Sequence, residues 1–289
     1  MDLSTGLSTD TEYASVAARN EWAKKIERAN ILPRLERETV KHGLRPCSLL
    51  FGVEPGQLDE LTSEYTKDGL VLEPIARMAP PSQGFSHFVT PPNGNDAYCF
   101  KCVIARSRQD VDRFIVAEGE HDDLRLGQLL GYPKCCARFF ESVWRRGCFD
   151  PIWETAGNTA GDAVCATGIR RDAHGNPVER SIVLAPDPEG FKISSCLRYI
   201  GVRITSHFAC SANCRASIEI ANQRIDLARH LVMIGVDAAL EILRLPCRWE
   251  CQHGFAAVST PAFRFCVPSM PYPVKHTVQQ QGFGVPISS

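Results

Sequence analysis

Thiols are the side chains of this sequence whose spacing best suits chemistry, and two of them precede a helical segment. Cys210 and Cys214 have Cys-x3-Cys spacing, and His207 lies three residues before the first of them. Ser211 is a favourable N-cap residue, which predicts Cys214 at the third position of a helix. Backbone N–H groups and the positive end of the helix dipole both stabilise a thiolate at such a position.

The segment after Cys214 has the pattern of an amphipathic helix with one apolar face. The apolar residues recur at alternating steps of four and three, at Ile218, Ala221, Ile225, Ala228 and Val232. Cys214 begins this face, so its thiolate would point towards a core. Because a buried anion costs free energy unless a positive group meets it, we expect a metal ion or metal cluster as its partner.

A second pair of cysteines also lies at a predicted helix start. Pro133 suits the first position of a helix, which places Cys135 and Cys136 in the first turn. Adjacent residues face different directions on a helix, so only one of the two thiols should enter a site easily. Cys136 is the predicted ligand because it shares an apolar face with Phe140 and Val143.

The remaining cysteines give weaker signals. Cys247 and Cys251, followed by His253, form a third group that is compatible with either metal binding or packing. Cys99 and Cys102 have Cys-x2-Cys spacing, but on the predicted strand they point to opposite faces. The isolated cysteines are predicted to pack as small apolar side chains; they are Cys47, Cys148, Cys165, Cys196 and Cys266.

Thiolates are soft ligands that select zinc or an iron–sulfur cluster. The Cys-x3-Cys spacing differs from the Cys-x2-Cys knuckle typical of structural zinc, and the dispersed ligands suit a cluster held between helices. The sequence therefore favours a [4Fe-4S] cluster bound by Cys136, Cys210 and Cys214, with zinc as the alternative cofactor. The fourth iron position would be filled by Cys135, by Cys247 or by substrate.

An iron with an open position would act as a Lewis acid towards a small-molecule substrate. The predicted function is an iron–sulfur enzyme with lyase, hydration or sulfur-transfer chemistry, and it could use a redox partner. His253 or His207 would act as acid or base, and Arg138 would bind an anionic group. The alternatives are a zinc-stabilised binding module without catalysis and a metal-free enzyme with Cys135 or Cys210 as nucleophile.

Composition narrows the class of protein. The 289 residues carry a formal net charge of −1 and no basic run, so a nucleic-acid partner is not expected. No stretch reaches the roughly 18 apolar residues of a membrane span, and the first 20 residues lack the apolar core of a signal peptide. We therefore expect a cytoplasmic protein, in which 13 cysteines indicate metal or thiol chemistry rather than disulfides.

Hydrophobic periodicity predicts an α+β fold that is mainly helical with a small mixed sheet, and with the metal or cluster site at helix N-termini. The expected domains are an N-terminal helical region over residues 1–68, a cysteine-rich core over 69–267 and an extended tail over 268–289. The chain contains no signature of a nucleotide-binding loop, a zincin or a serine hydrolase.

Three blocks have a distinctive composition: LGYPKCC at residues 130–136, HFACSANC at 207–214 and LPCRWECQHG at 245–254. They resemble the motifs of an uncharacterised prokaryotic family of unknown function, over roughly residues 70–267. The resemblance implies that the three blocks converge on one site, with His253 close to the thiols of Cys135, Cys136, Cys210 and Cys214. The family pattern does not require cysteine at positions 247 and 251, which makes these two doubtful as shared ligands.

Overall fold

The computed structural model of the chain describes residues 11–78, 97–145, 151–159, 164–171, 177–184, 189–252 and 255–268. Within these residues the fold is α+β, as predicted. The α-helices are α1 (Val16–Ala29), α2 (Leu32–Lys41), α3 (Leu58–Lys67), α4 (Arg108–Gly119), α5 (Asp123–Leu129), α6 (Lys134–Arg145), α7 (Pro151–Gly157), α8 (Arg215–His230) and α9 (Val236–Leu243). The β-strands are β1 (Thr11–Tyr13), β2 (Cys47–Val53), β3 (Val71–Met78), β4 (Cys99–Ala105), β5 (Val164–Arg171), β6 (Pro177–Leu184), β7 (Cys247–Gln252), β8 (Phe255–Ser259) and β9 (Phe263–Pro268).

The described strands form two sheets rather than the single small mixed sheet that was predicted. One sheet has three strands in the order β2-β4-β3, and the other has six in the order β1-β9-β8-β7-β6-β5. Every strand pairing in them is antiparallel. The prediction of a mixed sheet was therefore wrong, because parallel pairing is absent from the described strands.

The chain divides into two compact units. One unit contains residues 33–137, and the other contains residues 11–32 together with the described residues from 138 onwards. The division falls inside α6, so this one helix belongs to both units. The expected domain boundaries at residues 68 and 267 stay a prediction, and nearly all of the expected tail lies outside the described residues.

The three-stranded sheet is buried on both faces by helices of its own unit. Successive residues of β4 point to opposite faces, as the alternation of the sequence predicted. Val103 packs in a cluster with Phe114 of α4 and Leu129 of α5. On the other face, Cys102 packs in a cluster with Tyr65 of α3. The middle strand therefore carries a core on each side.

In the second unit, α1 packs against α9 at a close approach of two backbones. Gly235 is the N-cap of α9 and has a φ of 102°, a conformation that side chains rarely adopt. A Cβ atom at this position would lie 1.9 Å from the carbonyl oxygen of Arg28 at the end of α1. Glycine is required here on both grounds. None of the described helices has the length and apolar character that crossing a membrane would need.

Candidate metal centre

The turn that precedes α6 is fixed by two glycines that allow close packing. Gly131 has a φ of 72°, and a Cβ atom there would lie 2.6 Å from the Cβ of Arg45. A Cβ atom on Gly127 of α5 would lie 2.8 Å from the Cβ of Ala137 on α6. The Tyr132 N–H donates to the Gly127 carbonyl at 2.8 Å and closes the turn. The end of α5 therefore sets the position at which α6 begins.

The first turn of α6 carries two thiols, as predicted. The Ala137 N–H donates to the Pro133 carbonyl at 2.9 Å, and the helix itself begins at Lys134. Cys135 and Cys136 are then the second and third helical residues. Their sulfur atoms lie 3.9 Å apart, although Cys135 is exposed and Cys136 is only 1% exposed. The two sulfurs therefore lie close together although the residues differ in exposure, and the expectation that only one of them enters a site stays a prediction.

The other two thiols lie on the segment that leads into α8. The helix begins at Arg215 with Cys214 as its N-cap residue, so the predicted N-cap at Ser211 and the helical position of Cys214 were wrong. The Cys214 N–H donates to the Ser211 carbonyl at 3.2 Å, which forms a turn before the helix. The Cys214 carbonyl accepts from the Ile218 N–H at 3.0 Å. This carbonyl thus starts the α8 hydrogen-bond ladder.

Two threonines at the end of α7 hold the backbone on either side of Cys210. The Thr155 hydroxyl donates to the Ala209 carbonyl at 2.7 Å. The Ala212 N–H donates to the Thr159 hydroxyl at 2.8 Å, and that hydroxyl donates in turn to the Thr155 carbonyl at 2.7 Å. The sequence did not predict a role for these two threonines, because their partners are backbone groups more than 50 residues away. The one local signal is the four-residue spacing between the two threonines.

A buried hydrogen bond joins the two ends of the segment that contains Cys210 and Cys214. His207 Nε2 and Ser217 Oγ lie 2.8 Å apart, and both side chains are buried. The guanidinium of Arg224, which is also buried on α8, donates to the Ile204 carbonyl at 3.1 Å. These contacts hold residues 204–207 against α8, so the intervening loop is fixed at both of its ends.

The later turns of α6 pack on the same segment. Phe139 and Val143 form a small buried cluster with the Cys210 side chain packed against it. One residue along the helix, the Phe140 ring is parallel to the Phe208 ring, with the centroids 6.4 Å apart. The Arg198 guanidinium lies 4.5 Å from the centroid of the Phe208 ring. These contacts pack the later turns of α6 against the segment that contains Cys210.

Four cysteine side chains have sulfur atoms that lie close together. The Sγ atoms of Cys135, Cys136, Cys210 and Cys214 all lie within 4.8 Å of one another. Cys136 and Cys214 are buried, Cys210 is half-buried and Cys135 is exposed. Thiolates are strong ligands for soft metals, so this set could bind a metal ion. The four are the same residues to which the sequence assigned cofactor binding.

The third cysteine group lies elsewhere. Cys247 is the first residue of strand β7, not part of a tight turn, and it hydrogen-bonds to Cys196 in a fully buried position. This hydrogen bond, together with burial, raises the pKa of the Cys247 thiol well above its usual value. Cys247 is not among the close thiols, so the structure brings Cys135 to this position rather than Cys247. His253 and the side chain of Cys251 lie outside the described residues.

Cys99 and Cys102 of strand β4 are buried, as the predicted strand implied. Burial raises the pKa of the Cys102 thiol to about 12, and that of Cys47 likewise to about 12. These thiols are therefore neutral packing groups. Cys266 differs from the prediction because its side chain is exposed on β9.

The predicted acid–base and anion-binding residues have different surroundings. His207 is buried and bound to Ser217, so its place in the structure is that of a support for the thiol-bearing loop. Arg138 is exposed on α6, three residues after Cys135 and therefore next to it on the helix surface. Of His207 and Arg138, only Arg138 is exposed to solvent, where it could bind an anion.

Comparisons of the chain with models of known protein families, with curated proteins and with solved structures found no match. The resemblance noted in the sequence therefore stays a prediction, and the four close thiols are the arrangement among the described residues from which a function can be proposed.

Proposed function

We propose that this chain is a metalloprotein in which Cys135, Cys136, Cys210 and Cys214 bind one soft metal ion, with zinc as the first candidate. The observation that carries the proposal is the mutual approach of four sulfur atoms to within 4.8 Å. It is supported by the chemistry of the donor set, because four thiolates match the tetrahedral four-cysteine sites of structural zinc.

The distances favour a single ion over the [4Fe-4S] cluster expected from the sequence. A zinc–sulfur bond of about 2.3 Å in a tetrahedral site puts ligand sulfurs about 3.8 Å apart. The Cys135 and Cys136 sulfurs lie 3.9 Å apart, close to that value. In a [4Fe-4S] cluster each thiolate binds a different iron, which separates the ligand sulfurs by roughly 6 Å. A cluster would therefore require the four side chains to spread.

The local backbone also suits an anionic centre. A divalent ion with four thiolates has a net charge of −2, which needs compensation in a partly buried place. Cys135 and Cys136 lie in the first turn of α6, and Cys214 is the N-cap of α8. The positive ends of both helix dipoles would stabilise this charge. The proposed metal therefore lies at these two helix N-termini.

A bound zinc ion would supply a rigid four-way link between α6 and the segment before α8. Four protein ligands leave no open coordination position, which is typical of structural rather than catalytic zinc. The hydrogen bonds of Thr155, Thr159 and His207 would orient the ligands in the way that outer groups do in known metal sites. The metal would therefore stabilise the folded arrangement of residues 134–143 and 204–217.

The rival proposal is the iron–sulfur enzyme with lyase, hydration or sulfur-transfer activity on a small molecule. The exposure of Cys135 favours it in one respect, because an exposed ligand is the one that substrate could replace. It requires inorganic sulfide and about four irons per chain, whereas the zinc proposal requires one metal and no sulfide.

The two proposals are separated by purifying the protein without oxygen and measuring zinc, iron, sulfide and the absorption spectrum. We expect a colourless protein with about one zinc per chain. A matched control is the Cys266→Ser variant, which removes an exposed thiol away from the four and should keep the metal content unchanged. A brown protein with iron and sulfide would establish the cluster instead, and a protein without either metal would contradict both proposals.

A further inference from the structure

The four thiols differ in exposure in a way that a purely structural site does not need. Cys136 is 1% exposed and Cys214 is 7% exposed, and Cys210 packs against Phe139 and Val143. Cys135 alone of the four is exposed to solvent. An incoming molecule can therefore approach the Cys135 residue directly from solvent.

The segments that carry the three less exposed ligands are also held by contacts that do not involve Cys135. Cys210 and Cys214 lie on the loop that is fixed by Thr155, by Thr159 and by the hydrogen bond between His207 and Ser217. Cys136 lies on the side of α6 that is buried. Rotation of one side chain would remove the Cys135 sulfur from the metal, while the helix backbone and the other three sulfurs keep their places.

We propose that Cys135 is an exchangeable ligand and that a small anionic thiol binds the metal in its place. This inference rests on the proposed single-metal site. In the exchange, the bond from the metal to the Cys135 sulfur breaks and a bond to the incoming sulfur forms. The incoming thiol gives up its proton, the released Cys135 thiolate takes up one, and no oxidant or reductant is needed.

The charge preference follows from the side chains around Cys135. Lys134 and Arg138 are both exposed and lie four residues apart on α6, which makes them neighbours on its surface. Cys135 lies between them in sequence and three residues before Arg138. A carboxylate carried by the incoming thiol would meet two cations, so anionic thiols should bind more tightly than neutral ones of the same size.

The test uses the full chain loaded with cobalt(II), a spectroscopic substitute for zinc, in a phosphine reductant that contains no thiol. 3-Mercaptopropionate and 2-mercaptoethanol are then titrated separately, and the cobalt spectrum is followed. A saturable change in the sulfur-to-cobalt absorption is expected, with the metal retained. At saturation, brief alkylation and peptide mapping should show at least about tenfold faster labelling of Cys135, as expected for an accessible thiol that no longer binds a metal.

Cys266 is the internal control, since it is exposed and lies outside the four thiols. Its labelling rate should be the same with and without added thiol. The Arg138→Gln variant should lose about two- to fivefold of the preference for 3-mercaptopropionate over 2-mercaptoethanol, the range expected for an exposed ionic contact. The Cys135→Ser variant should keep about one cobalt per chain, held by the three remaining thiolates.

The outcomes separate this inference from the proposal on which it rests. Cobalt binding at one equivalent with a spectrum that added thiol leaves unchanged would overturn the exchange and uphold the metal site. Faster labelling of Cys136 or Cys214 instead of Cys135 would also overturn the exchange. Failure of the wild-type chain to bind cobalt would overturn both.

Discussion

The Cys99–Cys102 pair and the Cys135–Cys136 pair differ in spacing and in the backbone that carries them. The first has the Cys-x2-Cys spacing of zinc knuckles, yet it lies on the middle strand of a sheet, where residues three apart point to opposite faces and Cys102 packs in a hydrophobic core. The second consists of adjacent residues in the first turn of a helix, and its sulfurs lie 3.9 Å apart. Spacing alone therefore ranks the two pairs wrongly, because the backbone conformation decides where the sulfurs point.

Electrostatics separates the pairs as well. The Cys102 thiol is surrounded by apolar side chains, and burial raises its pKa to about 12, so it stays protonated. The first turn of α6 offers the positive end of a helix dipole, and Cys210 and Cys214 lie within reach. Mutations in the Cys135–Cys136 pair should therefore change metal binding, and mutations in the Cys99–Cys102 pair should change core packing.

The largest effect is expected from replacing a buried ligand. Cys136→Ser and Cys214→Ser should each weaken zinc binding by more than about 100-fold, since they remove a metal–sulfur bond rather than an outer contact. Competition with a chromophoric chelator measures this affinity. Cys102→Ala is the matched control and should bind zinc as the wild type does. Equal losses of zinc affinity in Cys102→Ala and Cys136→Ser would show that the two cysteine pairs do not differ in metal binding.

Metal removal should have the next largest effect, and it should be local. A ligand at 100 times its dissociation constant stabilises the folded state by about 2.7 kcal/mol, and a chelator removes that contribution. Hydrogen exchange should therefore accelerate in residues 134–143 and 204–217, where the thiols and their supports lie. Exchange in β4 should stay the same. Equal acceleration in β4 would mean that the metal stabilises the Cys99–Cys102 region too.

Replacing the supports should have a smaller effect than replacing a ligand. His207→Gln, Ser217→Ala and Thr155→Val each remove one hydrogen bond that fixes the loop before α8. Loss of an outer contact of this kind costs about 10- to 100-fold in metal affinity. The affinities come from the same chelator competition, with Thr66→Val as the control because the Thr66 hydroxyl bonds within α3. Wild-type affinity in all three variants would show that these hydrogen bonds do not position the ligands.

The last effect concerns the pH dependence of stability that comes from the Cys102 thiol, which the Cys102→Ala variant isolates. The folded-state pKa of Cys102, about 12, lies above the ordinary value of 9.0 expected when the chain unfolds. The protonated thiol is thus favoured by folding, and its contribution is complete below pH 9.0 and is lost as the pH rises towards about 12. In urea unfolding followed by circular dichroism, the wild type should lose stability over this range faster than Cys102→Ala. Equal losses of stability with pH in the wild type and in Cys102→Ala would contradict the assignment of this pH dependence to Cys102. The Cys266→Ser variant is the control and should behave as the wild type.

The parts of this molecule that could be predicted from the sequence are those determined locally. The alternation of residues 96–105 predicted β4 and the faces of its side chains. The periodicity from Cys214 to Val232 predicted α8, although the helix ends at His230 and Val232 is exposed rather than on the apolar face. The four thiols were chosen from their positions near helix starts and from a motif resemblance. Such signals depend on residues within a few positions of one another.

The parts that could not be predicted depend on distant partners or on small differences between neighbours. The start of α8 shifted from Ser211 to Cys214, because the Ser211 carbonyl closes a turn instead of starting the helix. Cys247 was a candidate ligand, but it hydrogen-bonds to Cys196, about 50 residues away in sequence. Cys135, in the first turn of α6, is one of the four close cysteines instead.

The central claim is that one metal ion is bound by all four sulfurs, and X-ray absorption at the edge of the bound metal tests it most directly. A single site of this kind predicts a first shell of about four sulfur atoms at about 2.3 Å around zinc, with no second metal nearby. A shell made mainly of nitrogen and oxygen, or a short metal–metal distance of the kind found in iron–sulfur clusters, would contradict it.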